Sequence, residues 1–511
     1  MERPARERTV QTVIDRRTFL ALMAAAGMPA QLAAQAAQPF SRDWLINLAR
    51  EKSQTDYIAR PLIPEPWRTM DYDDFQHIWF NAKKAIWNDT DSPVKIDLFT
   101  AGLYVERATT IHLVTDGQAR VLPYDISLFD KTDDFPDLPI DDTMGYSGLR
   151  LRAELNQPEI FEEFMVFQGA SYFRAIANKQ TYGLSARGLA LRTGDPAGEE
   201  FPDFTDFWVE APRADADSYI VHALLDGPSV TGAFQFTITP GAPTTVTVQS
   251  TLFPRVDLMH VGLGTLTSMF LFDETNRNRF DDFRPAVHDS EGLLIVNGNG
   301  ERIWRPLANH KTVEVSAFID DSPAGFGLMQ RDRDPESYAD LEAHYDARPS
   351  LWITPDTNWG AGAVELVEIP ADREIYDNIV AYWRPREPLQ AGQRYDIGYR
   401  MDWGDEPAGL PDVARVINTR IGKGFDQIKT VFAIDFAPHP ALEGPLDDLT
   451  IILRGTAGEV SPPILQQNPG TGGLRLNFSV LPGDAPLIEL RAQMLLNGNA
   501  LTEVWLYRWT V

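Results

Sequence analysis

The sequence predicts an all-β protein built from a large N-terminal β-sandwich and a small C-terminal one. Short runs of alternating apolar and polar residues, each bounded by Gly, Pro or Asp, follow one another along most of the chain. The 37 Pro and 36 Gly among 511 residues are spread at the interval that the turns of a β-sandwich require. Long helical periodicity is nearly absent, and no repeat of fixed period occurs.

Residues 1–37 are predicted to be an export signal that is not part of the fold. The twin arginine Arg16 and Arg17 precedes an Ala-rich apolar stretch, and small residues follow it. This is the pattern of a bacterial twin-arginine signal peptide, cleaved near Ala36 or Ala37. The apolar stretch is too short for a permanent anchor, so no stable membrane insertion is expected. Because this pathway exports folded proteins, the predicted location is the periplasm.

The large domain is predicted to cover residues 38–388. It begins with a short helix in "FSRDWLINLAREKS" (40–53), where Ser41 is a suitable N-cap. From about residue 94 the pattern changes to strands, such as "VKIDLFTAG", "TIHLVTDG" and "TTVTVQSTLFPRV".

A Pro-rich stretch from Pro385 to Pro388 indicates the edge of this domain. The runs that follow, including "RYDIGYRMDW", "KTVFAIDFA" and "TEVWLYRWTV", are again strand-like. Six or seven such strands suit an immunoglobulin-like sandwich, so residues 389–511 are predicted to form a second domain that folds as a separate unit.

Composition excludes several classes of partner. Acidic residues outnumber basic ones by 73 to 46, giving a net charge of −27. A field of this sign repels nucleic acid and anionic membranes, and it suits a neutral ligand. The chain has no Cys, so it can form no disulfide in an oxidising compartment, and stability must come from burial.

Motifs for several familiar chemistries are missing. Arg187 stands where a nucleophile elbow G-x-S-x-G would need its second Gly. The eight His are scattered without H-E-x-x-H, and "DETNRNRFDD" (273–282) lacks the glycine of a calcium loop. No dinucleotide or P-loop motif occurs. No cofactor and no metal site are predicted.

Carboxylates combined with aromatic side chains remain, and this is the combination that sugar hydrolysis uses. A glycosidase needs one protonated carboxyl for the leaving oxygen and one ionised carboxyl that activates water or attacks the sugar. The 12 Trp, 15 Tyr and 27 Phe could supply stacking surfaces for pyranose rings. Spacing cannot select the catalytic pair, because the two carboxyls need only meet in space.

Longer motifs are more specific, and they occur in order from about residue 40 to 390. They are "GASYFRA" (169–175), "YGLSARGLA" (182–190), "GEEFPDFTDFW" (198–208), "ALLDGPSVTGAFQF" (223–236), "VHDSEGLLIVNGNGERIWRPL" (287–307), "GFGLMQRDRD" (325–334), "RPSLWITP" (348–355), "NWGAGAVELVEIP" (358–370) and "DNIVAYWRP" (377–385). Together they closely resemble the osmoregulated periplasmic glucan biosynthesis proteins G and D. The twin-arginine signal is more similar to the D type.

The resemblance implies a galactose-mutarotase-like sandwich followed by an immunoglobulin-like domain, and a homodimer. It also implies a linear or cyclic β-1,2-glucan as ligand, cut by an anomer-inverting hydrolase. In this family the general acid is the Asp of D-N-I-V, here Asp377, and the general base is the Asp of H-D-S, here Asp289. The base acts at a distance through water and a substrate hydroxyl, so Asp289 should be ionised, with a pKa of about 3.9 or lower. Burial should raise the pKa of Asp377.

Further residues are candidate sugar contacts. Trp359 lies beside Gly360 and Gly362 and is expected to be an exposed stacking platform. Hydroxyl contacts are expected from arginines, with a surface ion-pair network as the alternative for Arg331 and Arg333. His288 is expected to hold Asp289 or a loop, and Glu199 and Glu200 to close a turn or pair with an Arg. The predicted substrate contacts are Trp359, Arg187, Arg305, Arg331, Tyr382 and His288.

Three functions are compatible with these residues. The first is an inverting endo-β-1,2-glucanase that trims or remodels periplasmic glucans. The second is a transglycosylase that passes the cleaved chain to a sugar hydroxyl, including one that closes a ring. The third is a non-catalytic glucan-binding or assembly factor. The charged stretch 273–282 leads into the H-D-S motif and departs from the family pattern, so it is expected to change how the catalytic site is covered.

Overall fold

A computed structural model describes residues 37–443 and 445–510, which fold almost entirely into β-strands. The predicted signal peptide lies outside the described residues, apart from its last position. The helices are α1 (Arg42–Ser53), α2 (Glu65–Thr69) and α3 (Tyr72–Phe75). No helix of this described part is long and apolar enough to cross a membrane. The prediction of an all-β class is confirmed.

Short strands follow one another along the whole of the described chain. Up to residue 191 they are β1 (Gln38–Pro39), β2 (Ile78–Phe80), β3 (Val94–Thr100), β4 (Thr110–Thr115), β5 (Gln118–Val121), β6 (Phe129–Lys131), β7 (Tyr146–Glu154), β8 (Phe161–Gln168), β9 (Tyr172–Ala175), β10 (Ser185–Arg187) and β11 (Ala190–Leu191). From 203 to 329 they are β12 (Asp203–Glu210), β13 (Tyr219–Asp226), β14 (Val230–Thr239), β15 (Thr244–Pro254), β16 (Val261–Ser268), β17 (Phe270–Phe272), β18 (Val287–His288), β19 (Gly292–Val296), β20 (Arg302–Pro306), β21 (Glu314–Asp321) and β22 (Gly325–Met329). The remaining strands are β23 (Ser350–Pro355), β24 (Ala361–Glu368), β25 (Ile379–Pro385), β26 (Tyr395–Gly404), β27 (Val416–Lys423), β28 (Thr430–Phe436), β29 (Leu449–Gly455), β30 (Glu459–Val460), β31 (Ile464–Gln467), β32 (Leu474–Leu481), β33 (Leu487–Leu496), β34 (Asn499–Ala500) and β35 (Val504–Thr510).

Two large sheets pack face to face to form the first sandwich. Within the described residues, the larger sheet has the strand order β1-β5-β4-β12-β13-β14-β15-β26-β23-β22-β19-β20-β35-β33-β29, and the smaller has β21-β24-β25-β16-β10-β9-β8-β7-β3. Alternate residues of both sheets, such as Phe236 and Leu328 in the larger and Phe167 and Leu366 in the smaller, meet in one buried core. The period of two leaves the other residues of the smaller sheet on its outer face.

The predicted helix is confirmed as α1. The Ser41 hydroxyl accepts a hydrogen bond of 3.1 Å from the backbone amide of Trp44, as an N-cap does. Leu45, Ile46 and Ala49 form its buried face and pack with residues from β4, β12, β13, β14 and β15.

The C-terminal strands form a second sandwich that shares the larger sheet. Strands β29, β33 and β35 continue this sheet, with β20 and β35 pairing in parallel, and the sheet β27-β28-β32-β30 lies opposite them. Their core also contains Leu294, Trp304, Met329 and Trp352 of the large domain. The C-terminal region therefore shares its core with the large domain, and its folding as a separate unit stays a prediction. Strand β26, which follows the boundary predicted after residue 388, pairs with β15 and β23.

A buried ion cluster lies where the two sandwiches meet. Both oxygens of the fully buried Glu503 accept hydrogen bonds, at 2.7 Å from Arg302 Nε and at 2.7 and 2.9 Å from the guanidinium of Arg331. The backbone amide of Val416 donates a fourth bond of 2.8 Å, and Glu406 accepts from both arginines. Four donors on one carboxylate compensate for removing the charges from water.

We expect Glu503→Gln to lower the free energy of unfolding by about 3–5 kcal/mol, because it leaves two buried guanidinium groups without their main counter-charge. Urea denaturation measures this change. The matched control is Glu489→Gln, which removes an exposed carboxylate that accepts from Arg508 and should cost at most about 1 kcal/mol. Equal effects of the two substitutions would contradict a special role for the buried cluster.

Candidate functional site

Asp377 lies two residues before β25, at the edge of the outer face of the smaller sheet. The strand that follows is buried, as the run "IVAYW" predicts. The next residue, Asn378, is also buried and fixes this position. Its side-chain oxygen accepts a hydrogen bond of 2.8 Å from the backbone amide of Phe270, and its side-chain nitrogen donates hydrogen bonds of 3.0 Å to the carbonyls of Phe270 and Ile369. The carboxylate of Asp377 is therefore held at a fixed place while 35% of its side chain stays exposed.

The surroundings of Asp377 raise its pKa, as expected. Desolvation by the surrounding protein raises the pKa above its usual value, and the positive charges of Arg174, Arg187 and Arg348 partly oppose this. Arg174 is the nearest of them, with Nη2 3.7 Å from Oδ2 of Asp377. Asp377 can therefore hold a proton more readily than an isolated carboxyl, and it remains accessible to a ligand.

Asp289 directly follows β18 and is almost completely buried. Its backbone amide donates 2.8 Å to the carbonyl of Met269, and only 6% of its side chain is exposed. Nη1 of Arg348 donates a hydrogen bond to Oδ1 of Asp289. Burial raises the pKa of Asp289 to about 6, while Arg348 lowers it and the charge of Asp377 raises it. The prediction of an ordinary or lowered pKa was wrong, because one guanidinium does not offset nearly complete burial.

The structure brings the two predicted catalytic carboxyls together. The charge of Asp377 acts on Asp289, and both Arg174 and Arg348 lower the pKa of each carboxyl. A negative charge on Asp377 therefore opposes ionisation of Asp289. The arrangement joins a buried carboxyl to an exposed one, which can take different roles in proton transfer.

Arg187 lies on the same outer face, but its guanidinium is held by protein groups. Nη1 donates a hydrogen bond of 2.6 Å to Glu199, and Nε donates one of 3.1 Å to Thr267. The guanidinium also lies over the rings of Tyr172 and Phe201. Its charge lowers the pKa of Asp377, so it forms part of the site wall. Glu199 is thus confirmed as the partner of an Arg.

Arg305 and Arg331 lie elsewhere, and their positions do not support the predicted hydroxyl contacts. Arg305 is buried and donates 2.9 Å to the buried Glu368. Arg331 belongs to the ion cluster with Glu503, and its guanidinium lies 3.6 Å from the ring centroid of Trp304. Both are structural, and the predicted ion-pair network of Arg331 is buried rather than on the surface.

The predicted aromatic contacts also lie within the protein. Trp359 is half-buried, and its ring centroid is 6.5 Å from that of Trp383 and 5.9 Å from that of Tyr399. Tyr382 is buried with Val367 and Val380. Neither placement supports an exposed stacking platform, because each ring is packed against neighbouring residues.

His288 supports the site from inside. It is buried, and Nδ1 lies 2.9 Å from the side-chain oxygen of Gln330, whose amide donates to the carbonyls of His288 and Tyr345. Burial lowers the pKa of His288 to about 4, so it is neutral near pH 7. This contact network holds a loop, as predicted, and no contact to a substrate is supported.

Sequence reasoning missed Tyr172, Arg174, Phe201 and Arg348. Tyr172 and Arg174 stand two apart on β9 and share the outer face with Arg187, whose strand pairs with β9. Phe201 is about half exposed. All four lie in the motifs "GASYFRA", "GEEFPDFTDFW" and "RPSLWITP". Only the folding of the chain brings Arg174 and Arg348 to the two carboxyls, and the rings of Tyr172 and Phe201 to Arg187.

No cluster of His, Asp and Glu in the described residues has the geometry of a metal site. Three arginines act on the carboxyls of Asp377 and Asp289, and two aromatic rings pack against one of them, Arg187. Such a set can bind hydroxyl groups, stack against a flat apolar face and move protons.

The sequence is similar to a family of proteins whose names refer to glucan biosynthesis. The family described as "Periplasmic glucan biosynthesis protein, MdoG" matches residues 40–509. The Glucans biosynthesis protein G of Vibrio cholerae serotype O1 is 47% identical over 477 residues, which are 92% of this chain and 87% of that protein. The protein of the same name from Shewanella frigidimarina is 47% identical over 478 residues, which are 92% of this chain and 85% of that protein. The predicted similarity to the D type stays a prediction.

Among solved structures, a galactose mutarotase related enzyme from Lactobacillus acidophilus aligns with 52% of this chain and 93% of its own, at 11% identity. The TM-score is 0.23, which does not establish a shared fold.

We expect Arg348→Gln to raise the pKa of Asp289 above about 6, because the guanidinium that lowers it is removed. Carboxyl-carbon NMR of Asp-labelled protein measures this pKa, with Asp289→Asn identifying the resonance. The control is Arg400→Gln, which removes an exposed guanidinium paired with Asp402 and should cause no change. An unchanged pKa in Arg348→Gln would mean that the contact to Asp289 is not formed in solution.

Proposed function

Because this chain belongs to the MdoG family of periplasmic glucan biosynthesis proteins, we propose that it is a periplasmic, anomer-inverting hydrolase of β-1,2-glucan. The observation that carries this proposal is the placement of the exposed Asp377 beside Arg174 and of the buried Asp289 on Arg348, near enough for both arginines to act on both carboxyls. The linkage and the inverting outcome are what the sequence resemblance implies. Two neighbouring carboxyls, one exposed and one buried, support acid–base catalysis over simple binding, because a glucan-binding surface needs no pair of this kind.

Asp377 is the proposed general acid because its carboxyl is the accessible one. A glycosidic oxygen can approach the exposed part of its side chain, which lies beside Arg174. A neutral sugar that covers Asp377 removes water from it, which raises its pKa further and favours the protonated form. The arginines are suited to bind hydroxyl groups of the rings on either side.

Asp289 is the proposed general base, acting through a relay. Because only 6% of its side chain is exposed, Asp289 cannot reach the water that attacks the anomeric carbon. A substrate hydroxyl or a second water must therefore carry the proton from the attacking water to Asp289. Inverting enzymes leave room for a water between their two carboxyls, and a relay extends that distance. Arg348 favours the ionised form that a base requires.

The test is incubation of the purified protein with linear β-1,2-glucan, followed by chromatography of the products and NMR of the new anomeric centres. Hydrolysis generates new reducing ends with inverted configuration. We expect Asp377→Asn to lower turnover by about 10²–10⁴-fold while glucan binding is retained, because the amide cannot deliver a proton. Asp372→Asn changes an exposed carboxyl in the same loop and should leave turnover unchanged.

Other products would favour the remaining functions. Transfer of the cleaved chain, including ring closure, changes chain lengths without new reducing ends. Tight binding with no change in chain length would indicate a binding or assembly factor. Turnover of Asp377→Asn within threefold of the unsubstituted protein would remove Asp377 from the mechanism.

The pH dependence tests the role of Asp289. A base with a pKa of about 6 is ionised only above that pH, so activity should rise as pH increases through about 6. Asp289→Asn should abolish most turnover and remove this acidic limb from the residual activity. The control is Asp435→Asn, which changes another buried carboxylate paired with arginines, in the C-terminal sandwich. Its pH profile should keep the acidic limb. An acidic limb that survives in Asp289→Asn would assign it to another group.

A further inference from the structure

Arg284 contacts three loops that lead to Asp377, Asp289 or Arg348. Its largely buried guanidinium donates hydrogen bonds of 2.8 and 3.0 Å to Asp282 and one of 2.8 Å to Asp340. It also forms an ion pair with Glu374, with the charged atoms 2.7 Å apart. The three partners come from the charged stretch before β18, from the loop between β22 and β23 and from the loop before β25. The hydrogen bonds that Arg284 donates to these carboxylates raise its pKa above the usual value.

One line of contacts leads from Arg284 towards the exposed acid. Glu374 lies three residues before Asp377 in the same loop. Its side chain also accepts 3.3 Å from the hydroxyl of Tyr345, so it is held from two sides. The ring of Tyr345 lies under the guanidinium of Arg348, 4.3 Å from it, which connects this loop to the residue that binds Asp289.

A second line leads towards the buried base. Oδ1 of Asp340 accepts from the backbone amides of Glu342 at 2.9 Å and of Ala343 at 2.8 Å, which fixes that turn. The carbonyl of Ala343 in turn accepts from Arg348, at 3.1 Å from Nη2 and 3.3 Å from Nε. The third donor of Arg348, Nη1, is the one that bonds Asp289. Arg284 thus fixes the turn that orients Arg348.

We infer that Arg284 is a positioning residue that aligns Asp377 and Asp289 by holding their loops to one guanidinium. This inference rests on the proposed function of the pair, and it assigns a role to the charged stretch 273–282 and the Arg that follows it. The planar guanidinium can bind several carboxylates at once in fixed directions, whereas a Lys ammonium acts as a point charge. Without Arg284, Asp282, Asp340 and Glu374 would repel one another, and the loops would separate.

The test compares Arg284→Gln with Arg475→Gln. The control, Arg475→Gln, removes another guanidinium that binds a carboxylate. Arg475 donates two hydrogen bonds of 2.7 Å to Asp435 in the C-terminal sandwich. With linear β-1,2-glucan as substrate, Arg284→Gln should lower kcat by about 10–100-fold with KM within threefold, because misaligned groups lose rate rather than binding. The acidic limb of the pH profile should move to higher pH, because a displaced Arg348 lowers the pKa of Asp289 less. Arg475→Gln should change neither.

A readout without substrate separates this inference from the proposed function. Carboxyl-carbon NMR of Asp289 should give a higher pKa in Arg284→Gln than in the unsubstituted protein, whether or not the protein cuts glucan. If Arg284→Gln does not fold, Glu374→Gln removes one arm of the cluster and should shift the pKa in the same direction. Arg284→Lys should restore folding but not the original pKa. A pKa of Asp289 that is unchanged in the folded variants would overturn the inference, and absence of glucan cleavage by the unsubstituted protein would overturn only the proposed function.

Discussion

The buried carboxylate of Glu503 fixes how the two sandwiches meet, and the geometry of the candidate site depends on that junction. It receives hydrogen bonds from Arg302 on β20 and from Arg331, which lies just after β22. Strand β19 lies between these two strands in the sheet, and Asp289 lies just before it in the chain. The C-terminal sandwich therefore supports the strands behind the site, although it supplies none of the side chains identified around Asp377 and Asp289.

The site combines two carboxyls whose environments differ in solvent access more than in charge. Asp377 and Asp289 both have raised pKa values, and in both cases burial is the largest cause. Arg348 and Arg174 limit this effect on both, and the charge of Asp377 raises the pKa of Asp289 further. A neutral ligand that covers the exposed Asp377 would change its pKa more than that of Asp289, which is already out of water. Solvent access is therefore the difference on which the two proposed roles rest.

The arginines of this protein illustrate how one residue type serves separate purposes. Arg305 and Arg331 satisfy buried carboxylates, and Arg187 is held by Glu199 while it contributes charge to the site. Arg174 and Arg348 act directly on the catalytic candidates. In a chain with a net charge of −27, each buried carboxylate needs such a partner, and much of the arginine content is used in this way.

The sequence by itself determined the all-β class, helix α1 with its Ser41 cap and the buried strand that follows Asp377, because alternation and capping are local properties of a chain. Its motifs also singled out Asp377 and Asp289 as the candidate pair. Only the tertiary structure decided which side chains surround that pair. Trp359 follows a loop-like pattern yet packs against Trp383, and Arg348 reaches Asp289 from a distant loop. Burial and the pKa of Asp289 likewise depend on atoms from several strands, since desolvation is set by everything packed around a group and not by its neighbours in the chain.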